Sequence, residues 1–179
     1  MAKSSPARLW LIRLGYCALA LVIIFFHLLP LDTLPRHWAP PDLLLAFTLA
    51  WSLRRPEYVP ALSIAAVMLM ADLLFQRPPG LLALLVVLGS EHLKSRASNL
   101  GEMGFVLEWA TVGVVIVAIT FANRLVLGIL TVQQAPLTLS LIQLVMTVVT
   151  YPLIVVVTQV ILRVRRPMPR DGRTSRVRP

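Results

Sequence analysis

Three stretches of this chain, Leu9–Leu29, Gly104–Leu130 and Leu137–Leu162, stay predominantly apolar over lengths that few environments accommodate. A hydrocarbon core takes roughly 20 helical residues, so each stretch is long enough to cross one. Composition decides between a bilayer and a soluble core. Of 179 residues, 58% are hydrophobic and 14% charged, whereas soluble domains run about 45–50% apolar and about 25% charged. The chain therefore reads as an integral membrane protein.

Three shorter apolar segments lie between the long ones: Asp42–Leu53, Val59–Phe75 and Pro79–Leu93. Whether they also span is a question of charge. With the N-terminus in the cytoplasm, six spans place fourteen Lys and Arg inside, Arg36 and Arg77 outside, and Arg124 within the fifth segment. That asymmetry is what the positive-inside bias produces. A re-entrant pair formed by the second and third segments would strand Arg54 and Arg55 in the membrane, so six true spans with both termini cytoplasmic are expected. The net charge of +9 then belongs to loops and a tail, and no nucleic-acid-reading module is visible. The first run is longer than a signal-peptide core and lacks a small-x-small cleavage site, so it reads as a retained span. Residues 1–162 form a single integral-membrane helical domain in this reading. Residues 163–179, with seven arginines, form a basic, disordered cytoplasmic tail suited to anionic lipids. The polar stretch Lys94–Gly104 reads as a cytoplasmic loop.

Charges inside apolar segments mark the candidate sites, because lipid disfavours them unless they find a partner. Asp42 follows Pro40-Pro41 at the start of the second segment, and Arg54-Arg55 end it; both signs suit the helix dipole. Asp72 lies about one turn before the third segment ends. Ala61 and Ala65 precede it at helical spacing, so a small-residue face is expected to look inward. Either a charge-assisted bond to Arg77 or Arg124, or hydrogen bonds to the backbone entering the fourth segment, would hold Asp72. Arg124 itself either snorkels outward or pairs with Asp72. Glu108 reads as interfacial. Ser140, Gln143, Thr147, Thr150 and Thr158 make a polar stripe on the sixth segment, suited to interhelical bonding, and Pro152 should kink that helix. Trp10, Trp51, Trp109, Tyr58 and Trp38 are placed as an interfacial aromatic belt. Asp42, Arg54, Arg55, Asp72, Arg124 and Gln143 are the structural or partner-contact candidates.

Catalytic and metal signals are weak. Ser90 and His92 stand two residues apart and point to different helix faces. There is no GxSxG elbow, Walker sequence or GxGxxG. His27, His37 and His92 lack ligand spacing, and Cys17 is the sole cysteine. No catalytic, cofactor or metal site is expected.

Pro41-Asp42, Trp51, Arg55-Pro56, Asp72-Leu73-Leu74 and Pro79-Gly80-Leu81 together resemble the rod shape-determining protein MreD family of bacteria. The likeness is specific over about residues 40–95. It departs from the family pattern around the aspartate, where glycines are frequent: here Met68 and Met70 precede it and Gln76-Arg77-Pro78-Pro79 follow. The resemblance implies an all-α polytopic inner-membrane protein with six transmembrane helices, like the substrate-binding subunits of energy-coupling-factor transporters. It further implies a non-catalytic subunit of the cell-elongation complex. The partners so implied are MreC, the synthases RodA and a penicillin-binding protein, and MreB directly or indirectly. A second reading, from a different class, is a small-molecule binding or transport subunit with a pocket near Asp72 and the sixth segment.

Overall fold

The structure, a computed structural model, describes residues 6–29, 39–102 and 104–160. Their regular structure is entirely helical, without a strand among the described residues: α1 (Pro6–Leu28), α2 (Leu43–Arg54), α3 (Ala61–Leu74), α4 (Leu81–Glu102), α5 (Gly104–Ile129) and α6 (Leu137–Val160), with a 3-10 turn at Pro56–Tyr58. The basic tail, Arg36, His37 and Trp38 lie outside the described residues.

Three helices, α1, α5 and α6, are long and apolar enough to cross a membrane. The chain is thus an all-helical protein of membrane character. By contrast α2 and α3 have 12 and 14 residues, about 18 and 21 Å of helix against a hydrocarbon core of about 30 Å. α4 differs from expectation. It does not stop at Leu93 but runs on through the polar stretch to Glu102. That stretch contains no proline and includes Lys94, Arg96 and Ala97, all tolerated in helix interiors. The chain then turns at Gly104, whose φ of +73° favours glycine.

α2 is the centre of the packing. Every residue from Leu44 to Arg54 is buried, as expected of a helix apolar on all sides. It packs mainly between α4 and α6 and also touches α1 and α5. From α1, Tyr16 stacks on Phe47 at 5.6 Å and lies 6.0 Å from Trp51, while its hydroxyl hydrogen-bonds Thr48 Oγ1 at 3.0 Å. Trp51 is therefore a core residue and not part of an interfacial belt. Trp109 also turns inward, its Nε1 donating to Val148 O at 2.9 Å and tying α5 to α6. Trp10 is exposed.

α3 buries Ile64, Val67, Met68, Ala71 and Asp72. The inward face is thus carried by larger side chains than anticipated, with Ala61 and Ala65 on its flank. Close approach is found elsewhere, at Gly89 of α4. A Cβ there would meet Ile119 Cδ1 at 2.9 Å and Val115 Cγ1 at 3.0 Å of α5. Pro152 is accommodated within a continuous α6, whose buried positions Thr147, Tyr151, Val155 and Thr158 follow helical spacing.

Candidate functional site

Polar groups gather at both ends of α2. At the first end, Asp42 caps the helix: Oδ1 accepts from Leu45 N at 3.0 Å, as an N-cap carboxylate does for orphaned amides. Its own N–H donates to Thr147 Oγ1 at 2.9 Å, and that hydroxyl donates to Gln143 O at 2.7 Å. The polar stripe of α6 thus anchors the start of α2. Asp42 Oδ2 lies 3.7 Å from Arg77 Nη1, a loose and partly exposed contact.

Arg124 neither reaches Asp72 nor extends away from the protein. It folds over the α5–α6 connection, donating to Ser140 Oγ and, at 3.2 Å, to Ala135 O. Gln134 Nε2 returns a bond to Arg124 O at 3.1 Å. Asp42, Arg77, Arg124 and Gln143 line one cavity of about 380 Å³, with aliphatic walls from Leu45, Leu82, Ile116 and Ile119.

Asp72 sits beside this region but does not line the cavity. It is 1% exposed, and Oδ2 accepts the backbone N–H groups of Gly80 at 3.1 Å and Ala83 at 3.3 Å. The carboxylate of α3 therefore caps the start of α4, where orphaned amides and the helix dipole both favour a negative charge. The intervening turn makes this possible. Gln76 takes a left-handed conformation, φ +54°, and the amides of Gln76 and Arg77 fold back onto Leu73 O and Asp72 O at 3.3 and 2.9 Å. This is a Schellman closure of α3. Gly80, φ +89°, completes the reversal. The cavity lies near Asp72 and the sixth helix, and the carboxylate that lines it is Asp42.

At the other end of α2, Arg54 and Arg55 part company. Arg55 is partly exposed, 3.1 Å from Glu57 Oε1 and stacked 5.3 Å over Tyr58. Arg54, expected beside it, is only 4% exposed. It forms a two-pronged pair with Glu108: Nε to Oε1 at 2.9 Å and Nη2 to Oε2 at 3.0 Å. Tyr151 Oη donates to the same carboxylate at 3.1 Å. Glu108, read as interfacial from sequence, is 1% exposed. Arg54 closes α2 and points inward because the outward directions are occupied by α4 and α6; the charge must then find its partner inside. The available sequence signal was an acid one turn into a long apolar helix, at the depth assigned to Arg54.

These groups are built to hold helices together and, at the cavity, to present charge to a small volume. Ser90 is buried with its hydroxyl on Val87 O at 2.8 Å, and His92 is exposed, so the two do not form a pair. No three His, Cys, Asp or Glu side chains converge among the described residues. Compared with known proteins, the chain matches no family model, no curated protein and no solved structure.

Proposed function

We propose that this chain is a non-catalytic membrane scaffold of the MreD kind, a six-span subunit of the bacterial cell-elongation complex with both termini cytoplasmic. In this reading it shares the architecture of energy-coupling-factor substrate-binding subunits and contacts MreC, RodA, a penicillin-binding protein and, directly or indirectly, MreB. The observation that carries the reading is how the residues behind the resemblance are used. Asp42 caps α2, Asp72 caps α4, and Gly80 supplies the turn between α3 and α4. Their polar atoms serve the assembly of short helices inside the protein. The outer faces of α1, α5 and α6 are left with large exposed apolar side chains, among them Leu11, Phe25, Phe121, Leu125 and Leu153. In a bilayer such faces meet lipid or the helices of partners.

Crosslinking of the tagged protein in its membrane, followed by detergent extraction and mass spectrometry, tests the reading. Crosslinks from α1, α5 or α6 to MreC or to a synthase are expected. Absence of all these partners from the crosslinked material would overturn it. A reporter fused after Pro56 should read cytoplasmic; a periplasmic signal there would remove the six-span topology while leaving the partner question to the crosslinks.

A further inference from the structure

The cavity at the Asp42 end of α2 is lined by more positive than negative charge: the guanidinium groups of Arg77 and Arg124 against the single carboxylate of Asp42. That carboxylate is already engaged, Oδ1 on Leu45 N and Oδ2 near Arg77. Arg124 has no carboxylate partner among the described residues, and its bonds go to two neutral oxygens, Ser140 Oγ and Ala135 O. A guanidinium carries five N–H donors in a planar fork, so these two bonds leave most of its donor capacity uncommitted. Arg124 also belongs to a helix long and apolar enough to cross a membrane. A cation on such a helix calls for a counter-charge or water.

The rest of the cavity is consistent with an anion. Gln143 and Asn123 add carboxamide donors and Ser140 adds a hydroxyl, whereas the Thr120 hydroxyl already donates to Ile116 O at 2.9 Å. Below them the wall is aliphatic. A volume of about 380 Å³ falls within the range of about 300–1,000 Å³ usual for small-molecule sites, which combine apolar walls with a few convergent polar groups. Arginine is the residue most suited to binding phosphate through paired, charge-assisted bonds. Two arginines from separate elements, one on α5 and one on the α3–α4 turn, can take different oxygens of a tetrahedral group. The loose 3.7 Å contact of Arg77 with Asp42 leaves Arg77 able to reorient towards a second acceptor.

We propose that this cavity binds a phosphate-type oxyanion, with Arg124 as its principal counter-charge and Arg77 as the second. The group arrives either as the headgroup of an anionic phospholipid or as a soluble phosphate ester. The site does not depend on the scaffold reading and would persist in a protein with other partners.

The full chain, purified in detergent and delipidated, is compared with Arg124→Gln and Gln143→Glu by native mass spectrometry and titration. Gln143→Glu leaves Arg124 in place and adds a negative charge to the wall, so it tests the site even if Arg124→Gln fails to fold. The probes are phosphatidylglycerol, phosphatidylcholine and glycerol 1-phosphate. The arginines after residue 162 are common to all three proteins, so lipid held by them cancels in the comparison. One molecule of phosphatidylglycerol retained over phosphatidylcholine, weakened at least tenfold by either variant, is expected if the headgroup is the source. Binding of glycerol 1-phosphate with the same sensitivity, without selective lipid retention, assigns the cavity to a soluble ester. Equal binding by wild type and the folded variants, or binding of neither phosphate probe, overturns the proposal.

Discussion

The two ends of α2 each bring an arginine to a carboxylate, and they do so in opposite ways. At the Arg54 end both partners are buried, the contact is two-pronged at 2.9 and 3.0 Å, and Tyr151 adds a third bond. At the Asp42 end a single 3.7 Å approach joins side chains that are 33% and 21% exposed. Desolvation is the difference. A buried pair interacts strongly because water does not compete, but it forfeits the hydration of both ions. An exposed pair keeps that hydration and gains little from contact. The Arg54 end is therefore a clamp, joining α2 to α5 and α6, and the Asp42 end is an open, adaptable polar surface. One short helix is fixed at one end and left responsive at the other.

The sharpest way to break this contrast is to remove one ion from the clamp. Glu108→Leu leaves Arg54 buried without its counter-charge, and removing one partner of such a pair typically costs about 3–5 kcal/mol. Replacing both, as Arg54→Met with Glu108→Leu, should recover most of that loss. The guanidinium is not fully satisfied to begin with, since Nη1 has no hydrogen-bond partner among the described residues. Reversible unfolding in mixed micelles, followed by circular dichroism, measures both variants. A single variant as stable as wild type would mean that Arg54 escapes to solvent, and the clamp would be lost as an explanation.

Why the clamp was hidden in the sequence and the helices were not is a matter of range. Apolar runs and their breaks are local, so the starts of α2, α3, α5 and α6 and the ends of α2, α3 and α5 were legible within a few residues: Pro41-Asp42 opens α2, and Pro78-Pro79-Gly80 separates α3 from α4. Local polarity misled at Lys94–Glu102, where a helix continues after its apolar face has ended. Arg54 and Arg55 look alike in sequence, and only the packing of α4 and α6 around α2 tells them apart. Glu108 lies 54 residues from its partner. The Asp42, Arg124 and Gln143 grouping is likewise long-range, although helical spacing already placed Gln143 and Thr147 on one face.

A smaller effect is expected at Asp72, whose hydrogen bonds go to the backbone amides of Gly80 and Ala83. Asp72→Leu removes the acceptor of two buried or part-buried amides, Gly80 N and Ala83 N; an unsatisfied buried donor costs about 1–3 kcal/mol. Asp72→Asn retains one carbonyl oxygen in the same place and should lose less than about 1 kcal/mol. The same unfolding measurement ranks them. Equal losses for Asn and Leu would show that the negative charge, and not the acceptor, matters there, and Asp72 would join the clamp as a second electrostatic element.

The smallest effect separates the two duties of Asp42. Arg77→Gln removes the exposed pair and nothing else of Asp42, so stability should change by no more than about 0.5 kcal/mol, within the range of surface ion pairs. Asp42→Ala removes the pair and also the cap on Leu45 N, and loss of an N-cap typically costs about 1 kcal/mol. The excess of the second variant over the first reads the cap alone. Salt sharpens the test further: an exposed pair is screened over a Debye length of about 8 Å at physiological ionic strength, whereas a short bond from carboxylate to backbone amide is little affected. The difference between the two variants should thus persist at 1 M salt, while the effect of Arg77→Gln disappears. If Arg77→Gln were instead as damaging as Asp42→Ala, and remained so in high salt, the 3.7 Å contact would be a second clamp and the two ends of α2 would be alike after all.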